Sequence, residues 1–430
     1  MAEKDFTVRS LAGSSVASIA RKLSRAEGLT VISGNFEEHW ESSFVAAFPD
    51  AQSCAIVPPL GGCPGHRGLN GAIPPPVWVG YVPYEALRRI ERSQTDARPL
   101  PTLSVPCWKR YPAMVRIDAR TGRASIEGTA EGVACLEGAL FATSSHSASD
   151  FAFVTQEDNK DEARHVQGIE EVLRLIARGD AYQVNLARQL RFAFAGDRLE
   201  AFLALRKLSP HVYHFFGSSD AVAVSAHSPE LALGRVGSNV VTRPMKGTRA
   251  RGHDALDDAE VRKELEHDQK ELAELTMAVD LHRNDLGRVA VPGSVRVNGA
   301  LRTHRSPTVW SRYAEVGATL RDNVTVQELF HALLPCGSVT GAPKIQAMQI
   351  IAALEASRRG LYTGAYGALS ADGTRIALAV AIRTVVIEGS VATYGSGGGI
   401  VSDSKPQREL DETRWKALAI QNLASSIEER

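Results

Sequence analysis

The last third of the chain most constrains its fold. Three strand-like stretches, "YTGAYGALS", "RIALAVAIRTVVI" and "SVATYGSGGG", follow one another with only "ADGT" and "EG" as turn signals between them. Connections that short cannot hold the crossover a parallel pair needs, so neighbouring strands run antiparallel. Helical patterns, such as 343–359 and 404–425, lie before or after this run rather than between its members. Grouped strands and grouped helices predict an α+β architecture of largely antiparallel sheets with flanking helices, not a doubly wound parallel sheet.

Upstream, "DEARHVQGIEEVLRLIARGD" keeps Val166, Ile169, Leu173 and Ile176 at helical spacing up to a stop at Gly179. The next run, "YQVNLARQLRFAF", alternates: Tyr182, Val184, Leu186, Leu190, Phe192 and Phe194 share one face, and Gln183, Asn185, Gln189 and Arg191 the other. That spacing predicts a strand with a polar face. Before residue 150 the sequence is uneven, with a Gly/Pro-rich loop, an aromatic run "VWVGYVPYEALRRIERS" and a Ser/Ala stretch "ATSSHSASD" that reads as a boundary.

Lysine plus arginine and aspartate plus glutamate each number 49. With no net field to draw it onto nucleic acid or an anionic membrane, the protein must hold any charged ligand by a local site. The N-terminus "MAEKDFTVRS" lacks a secretory pattern and no apolar run is long enough to span a bilayer, so a cytoplasmic location is expected. The five cysteines are odd in number and form no CxxC pair, which predicts free thiols rather than disulfides or a zinc site.

Four stretches could carry chemistry. Glu271 with Glu274, and Glu409 with Glu412, stand at i, i+3 on two helices, the second opened by a capping-box pattern of Ser404 and Gln407. These are either two solvated faces or the oxygen ligands of a hard cation such as Mg²⁺. In "LPCGSVTGAPKIQAMQIIAALEASRRG", Thr340 is the candidate helix cap, Pro343 opens the first turn and Gly360 is the stop. Such a helix start suits an anion, although its spacing is not that of a nucleotide-binding Walker loop. In "RIALAVAIRTVVI" a face of Ala377, Ala379 and Ala381 leads to Arg383, which calls for an anion, either a structural carboxylate or a ligand's. Finally, "TRPMKGTRARG" is either a solvated basic loop or an arrangement in which Arg243, Arg249 and Arg251 surround Lys246 so that it can lose its proton and attack. A fifth stretch, "GGCPGHRG" around Cys63, imitates a glutaminase elbow but has no strand–turn–helix context.

The blocks "GDAYQVNLARQ", "SPELAL", "TRPMKGTRARG", "ELAELTMAVDLHRNDLGRV", "LPCGSVTGAPKIQAM", "RGLYTGAYG", "AIRT" and "GSGGGIVSDS", in this order from about residue 160 to 425, resemble the chorismate-utilising enzymes. That family includes component I of anthranilate synthase and of aminodeoxychorismate synthase, with isochorismate and salicylate synthases as relatives. The resemblance implies a sandwich of sheets, a chorismate-binding catalytic domain over 151–430 and an N-terminal subregion, 1–150, packed on it. It implies Mg²⁺ held by Glu274 and Glu412, the substrate carboxylates held by Tyr362, Arg383 and the backbone of Gly397, Gly398 and Gly399, and Thr340 at the pocket. Glu230 of "SPE" would be the acid that protonates the departing C4 hydroxyl, since hydroxide is a poor leaving group near neutral pH.

Two positions separate the branches. Gln183 stands where the water-using relatives have lysine, which favours ammonia as nucleophile. Lys246 stands in a P-x-K-G-T loop that resembles aminodeoxychorismate synthases, where anthranilate synthases have alanine, which implies attack by the lysine on chorismate C2. A glutamine amidotransferase subunit would then be the partner that supplies ammonia. Two departures go with the resemblance: Ser311 aligns where the family commonly has a histidine near the reacting ring, and "SPHVYHFF" matches the tryptophan-feedback block only loosely, so tryptophan regulation is not expected.

Overall fold

The computed structural model describes residues 6–11, 15–61, 77–88, 98–142, 149–156, 159–209, 212–305 and 309–428; all strand pairs among them are antiparallel, including Ala365–Ser370 with Arg375–Val380 and Thr384–Glu388 with Val391–Ile400, which the short turns join. Among them twelve strands form one sheet: β1 (Phe6–Leu11), β2 (Thr30–Gly34), β3 (Ser42–Ala46), β7 (Ala113–Asp118), β8 (Ala124–Thr129), β9 (Phe151–Gln156), β10 (Gln183–Gly196), β11 (Tyr213–Ser218), β12 (Val222–Ser228), β18 (Gly341–Ala342), β21 (Thr384–Glu388) and β22 (Val391–Ile400). Its order is β1-β8-β7-β3-β2-β11-β12-β21-β22-β10-β18, with β9 also paired to β10.

The second sheet has ten: β4 (Ala51–Ser53), β5 (Val77–Val82), β6 (Cys107–Tyr111), β13 (Leu231–Val236), β14 (Asn239–Arg243), β15 (Met245–Ala250), β16 (Arg296–Arg305), β17 (Val309–Thr319), β19 (Ala365–Ser370) and β20 (Arg375–Val380). The order is β15-β17-β14-β13-β20-β19-β5-β6-β4, with β16 on β17. Strands from before residue 150 therefore hydrogen-bond into both sheets.

Helices close the outer faces. Against the first sheet lie α1 (Val16–Lys22), α4 (Ala130–Phe141), α6 (Arg198–Leu208) and α11 (Pro406–Glu428), sharing a core with Phe192, Phe216 and Tyr394. Short α2 (Glu37–Trp40) and α3 (Tyr84–Arg88) cap strand ends, and α5 (Asn159–Ala177) and α10 (Lys344–Leu354) cover the start of β10 through Ile169, Val184 and Ile351. On the second sheet lie α7 (Ala255–His267), α8 (Gln269–Gly287) and α9 (Val326–Leu333), with Leu275, Val279 and Phe330 packed on Ala314 and Leu378. Between the sheets, Phe215 and Tyr366 pack with Ala377, Ala379 and Ala381. The small-residue face is thus covered by aromatic side chains of the protein itself, because alanines let two sheets approach closely.

"RIALAVAIRTVVI" is not one strand. It is two, β20 in the second sheet and β21 in the first, and the chain crosses between sheets at Ala381–Arg383. Arg383 has φ 48°, a left-handed turn that ends one strand and redirects the next. Other boundaries shift too: α10 ends at Leu354, short of Gly360, and its cap position is Pro343 with no side-chain bond. Thr340 is therefore not the helix cap; its hydroxyl donates to Cys336 O at 2.9 Å. Ser404 forms no capping box with Gln407 but donates to Glu409 Oε1 at 2.7 Å. Tyr182 lies outside β10 and is 69% exposed, whereas Gln183 and Asn185 on the expected polar face are buried.

Cys63, its "GGCPGHRG" surroundings after Gly61 and most of "ATSSHSASD" lie outside the described residues. The four described cysteines, Cys54, Cys107, Cys135 and Cys336, are free thiols. Among the described residues no helix is long and apolar enough to cross a membrane.

Candidate active site

Lys246 reaches the site because of how β15 leaves β14. After Pro244 the strand pairs with β17, Lys246 opposite Arg312, and the register slips at Gly247, which has φ +74°. A side chain at Gly247 would press on Leu265 and Glu271, so glycine lets α7 and α8 close over the strand. The Lys246 ammonium then lies 3.7 Å from Glu274 Oε2 on α8, with only 13% of either side chain exposed.

The expected cage of arginines around Lys246 does not form. Arg243 pairs with Glu38 and Glu315, Arg249 with Asp268 and Glu271, and Arg251 with Asp258. A guanidinium fork is satisfied best by a carboxylate, and this part of the fold offers one to each arginine. Ser311 does not reach the site either. It pairs with Thr248, whereas Arg312 pairs with Lys246. Directly opposed residues share a face, so Arg312 is on the Lys246 side of the sheet and Ser311 on the other.

Across from Glu274, α11 presents Glu409 and Glu412. Lys270 lies 3.7 Å from Glu274 Oε1 and 3.5 Å from Glu409 Oε1, joining the two helices. Lys416 pairs with Glu412 Oε1 at 2.6 Å and donates to Gly397 O at 2.7 Å. Burial pushes the Glu274 carboxyl above its ordinary value, against the pull of Lys246 and Lys270. Glu412 moves the other way: burial raises it too, but Lys416, Lys246 and Lys270 outweigh that and hold it below its ordinary value.

The floor is a glycine strand. On β22, Gly397, Gly398 and Gly399 pair with Ala187, Leu186 and Asn185 of β10. A methyl group at Gly397 would overlap Leu186 O, and one at Gly399 would overlap the Gln183 amide and stand 3.1 Å from Lys246 Nζ. At Gly398 it would lie 3.1 Å from Glu409 Oε2 and 3.6 Å from Glu412 Oε1. Glycine thus keeps bare backbone next to Gln183, Lys246 and both α11 carboxylates. Gly397→Ala is expected to destabilise the fold by roughly 1–3 kcal/mol, because rigid backbone must move. Gly399→Ala meets flexible side-chain ends, so its denaturant midpoint should stay near wild type while turnover falls by roughly a hundredfold through displaced side chains. Parallel unfolding and rate measurements on the two variants check this contrast.

Glu230 follows β12 in the turn to β13 and is 3% exposed. Its Oε1 accepts a short hydrogen bond from Ser338 Oγ, in the one-turn 3₁₀ segment Gly337–Val339. Burial pushes its pKa up to about 7, opposed by the Ser338 hydrogen bond and the charges of Lys246 and Lys416. A carboxyl in that state can carry a proton near neutral pH and give it up in a reaction.

Tyr362 lies under Gly395, where a side chain would overlap its ring. Arg359, 4% exposed, stands over that ring at 5.6 Å and binds Glu355, Val339 O, Thr363 and Asn185 O. It ties Tyr362 to the start of β10. The Arg383 guanidinium makes no ion pair among the described residues, so the structural-carboxylate alternative is not what is found. Thr340 is fully buried; its carbonyl accepts from Asn185 N and its one hydroxyl proton is committed to Cys336 O.

The structure therefore brings together Lys246, Glu274, Gln183, Gly397, Gly398, Gly399, Glu412 and, through its electrostatic coupling to Lys246 and Lys416, Glu230. Glu409, named with Glu412 from the sequence, belongs here too, as do three residues the sequence reading did not single out: Lys270, Lys416 and Ser338. Two had a visible signal, since Lys270–Glu274 and Glu412–Lys416 are both i, i+4 pairs. Ser338 had none beyond its place in "LPCGSVTGAPK".

One family model, that of the chorismate binding enzymes, matches this chain. The chain belongs to that family, whose model matches residues 35–422. Among named relatives it is 39% identical to anthranilate synthase component 1 of Aquifex aeolicus, over 61% of this chain and 53% of that one. It is 37% identical to aminodeoxychorismate synthase component 1 of Bacillus subtilis, over 61% of this chain and 56% of that one. It is 34% identical to anthranilate synthase component 1 of Streptomyces coelicolor, over 86% and 75%. The chain thus spans little more than half the length of the first two. In fold it is similar to anthranilate synthase component I from Streptococcus pneumoniae TIGR4, with TM-score 0.73 and 24% identity over 98% of this chain and 93% of that one. The menaquinone-specific isochorismate synthase from Escherichia coli is similar too, with TM-score 0.78 and 20% identity over 97% and 94%.

Proposed function

We propose that this chain is an aminodeoxychorismate synthase component I, which transfers an amino group from ammonia to C4 of chorismate. The observation that carries this reading is the placement of Lys246: its amine is held between Glu274 and bare glycine backbone, on the same site as the buried acid Glu230. In the proposed reaction the Lys246 amine bonds to C2, the ring electrons shift, and the C4–O bond breaks as Glu230 delivers its proton to the leaving oxygen, releasing water. Ammonia then bonds to C4 and the C2–N bond to Lys246 breaks, returning the free lysine, and the proton shed by the new C4 ammonium restores Glu230. The pyruvyl ether stays in place. Gln183, which cannot take a proton from water as a lysine amine can, supports ammonia as the second nucleophile.

The donor set fits Mg²⁺. Glu274 on α8 and Glu412 on α11 are electrostatically coupled carboxylates from two helices, and among the described residues no group of three or more His, Cys, Asp or Glu side chains forms a complete shell. A hard cation that keeps several waters and takes a substrate oxygen suits such a partial set. Bound there, Mg²⁺ would neutralise and orient a ring carboxylate. Tyr362, Arg383 and the Gly397–Gly399 backbone would hold the substrate's carboxylates, with Thr340 behind them as buried support. Glu274→Ala and Glu412→Ala should each abolish Mg²⁺-dependent turnover, read as rate against Mg²⁺ concentration; full activity in the double variant would rule the assignment out.

Ammonia would come from a separate glutamine amidotransferase subunit, and free ammonium should replace it in vitro. The product would then pass to a lyase that releases 4-aminobenzoate for folate synthesis. A second reading, anthranilate synthase component I, is favoured by the names of the Aquifex and Streptomyces relatives. Incubation with chorismate, Mg²⁺ and ammonium, with and without aminodeoxychorismate lyase, separates the two. If 4-aminobenzoate forms only with the lyase, the first reading stands; if anthranilate forms without it, the second does.

A further inference from the structure

Three ammonium groups and three carboxylates meet in the seam where side chains of α8, α11 and β15 approach one another. Lys246 answers Glu274, Lys416 answers Glu412, and Lys270 lies between Glu274 and Glu409. Lys246 and Lys416 are committed to the site, the first as the proposed nucleophile and the second by its bond to Gly397 O. Lys270 differs. Its side chain is 47% exposed and runs from solvent into the seam, so it can leave toward water without breaking the fold.

We propose that Lys270 is an internal competitor for the divalent cation, keeping Mg²⁺ binding weak until a dianionic ligand arrives with it. The proposal rests on the metal site proposed above. A dication that enters between Glu274 and Glu412 must share Glu274 with the Lys270 ammonium already 3.7 Å from it, and Glu412 with Lys416. Alone, the dication would add two positive charges beside the ammonium groups of Lys270 and Lys416, and like charges a few ångströms apart under partial burial repel strongly. With a dianion, the added charge is offset. Lys270 thereby couples the two ligands electrostatically, without a moving lid. It is a positioning and affinity-setting residue rather than a group that touches the reacting atoms.

The test is calorimetric titration of Mg²⁺ alone into the wild-type chain, K270M and K270R, alongside thermal unfolding with and without Mg²⁺. Methionine keeps the length of the stem and removes the charge; arginine keeps the charge. K270M should bind Mg²⁺ roughly five- to tenfold more tightly, the range expected when one or two partly exposed ion-pair contacts are lost, and its unfolding midpoint should gain more from Mg²⁺ than that of the wild type. K270R should stay within about twofold of wild type, because the charge is what matters. Unchanged or weaker Mg²⁺ binding by K270M, with clear binding by the wild type, overturns the role of Lys270 and leaves the metal site standing. If none of the three proteins binds Mg²⁺ by heat or by midpoint shift, the metal site falls and Lys270 falls with it.

Discussion

Lys246→Ala should lose C4 amination of chorismate, with kcat/KM for ammonium-dependent product formation falling at least about a thousandfold, or roughly 4 kcal/mol of transition-state stabilisation. The size follows from the role: without the amine no bond forms at C2, and ammonia must displace the C4 hydroxyl directly. The fold should survive, because Lys246 lies on edge strand β15 and its removal leaves no uncompensated buried charge. Glu274 keeps Lys270 as a partner. Chromatography and mass of the product, with circular dichroism to confirm folding, check it. Unchanged C4 amination in this variant would remove the nucleophile from the mechanism, while a switch to anthranilate would mark Lys246 as the residue that selects the branch.

Glu230→Gln is expected to cost about 10²–10⁴ in kcat, the usual contribution of a positioned general acid. Two pH signatures accompany it. The wild-type rate should fall as pH rises through about 7, because Glu230 must be protonated to act and burial has raised its pKa to that value. The variant should lack that limb. Stability follows the same proton: a carboxyl whose pKa rises from 4.5 in the unfolded chain to about 7 in the fold binds its proton more tightly when folded. Its contribution is complete below about pH 4.5 and is lost as pH rises through 7, a change of about 3 kcal/mol. The unfolding free energy of the wild type relative to Glu230→Gln should therefore decline over that window. A flat difference would mean that the buried carboxyl is already ionised at low pH.

Much of the architecture was legible in the sequence because its determinants are local. Turns of a few residues dictate antiparallel pairing, and the 3.6-residue periodicity with a stop at Gly179, which has φ +86°, marked α5. The resemblance singled out Lys246, Gln183, the glycine strand and the acids of two helices, and in the structure these residues are neighbours. What misled was charge. Arg243, Arg249 and Arg251 are close to Lys246 in sequence, but the strand sends them to Glu38 and Glu315, to Asp268 and Glu271, and to Asp258. A sequence shows how many charges a loop carries and not which partner each one meets.

By itself, then, the sequence determined that the chain builds antiparallel sheets flanked by helices and that it carries the residues of a chorismate binding enzyme. Periodicity, turn length and motif order are properties of neighbouring residues, and no distant contact is needed to read them. Only the tertiary structure decided that "RIALAVAIRTVVI" divides between two sheets at Arg383, that Ser311 lies on the far side of its sheet from Lys246, and that Lys270 pairs with both Glu274 and Glu409 while Lys416 pairs with Glu412. Those outcomes depend on register and on the way the two sheets bring the side chains of α8 and α11 together. Lys270 and Glu409, 139 residues apart in the chain, meet only when the core is closed.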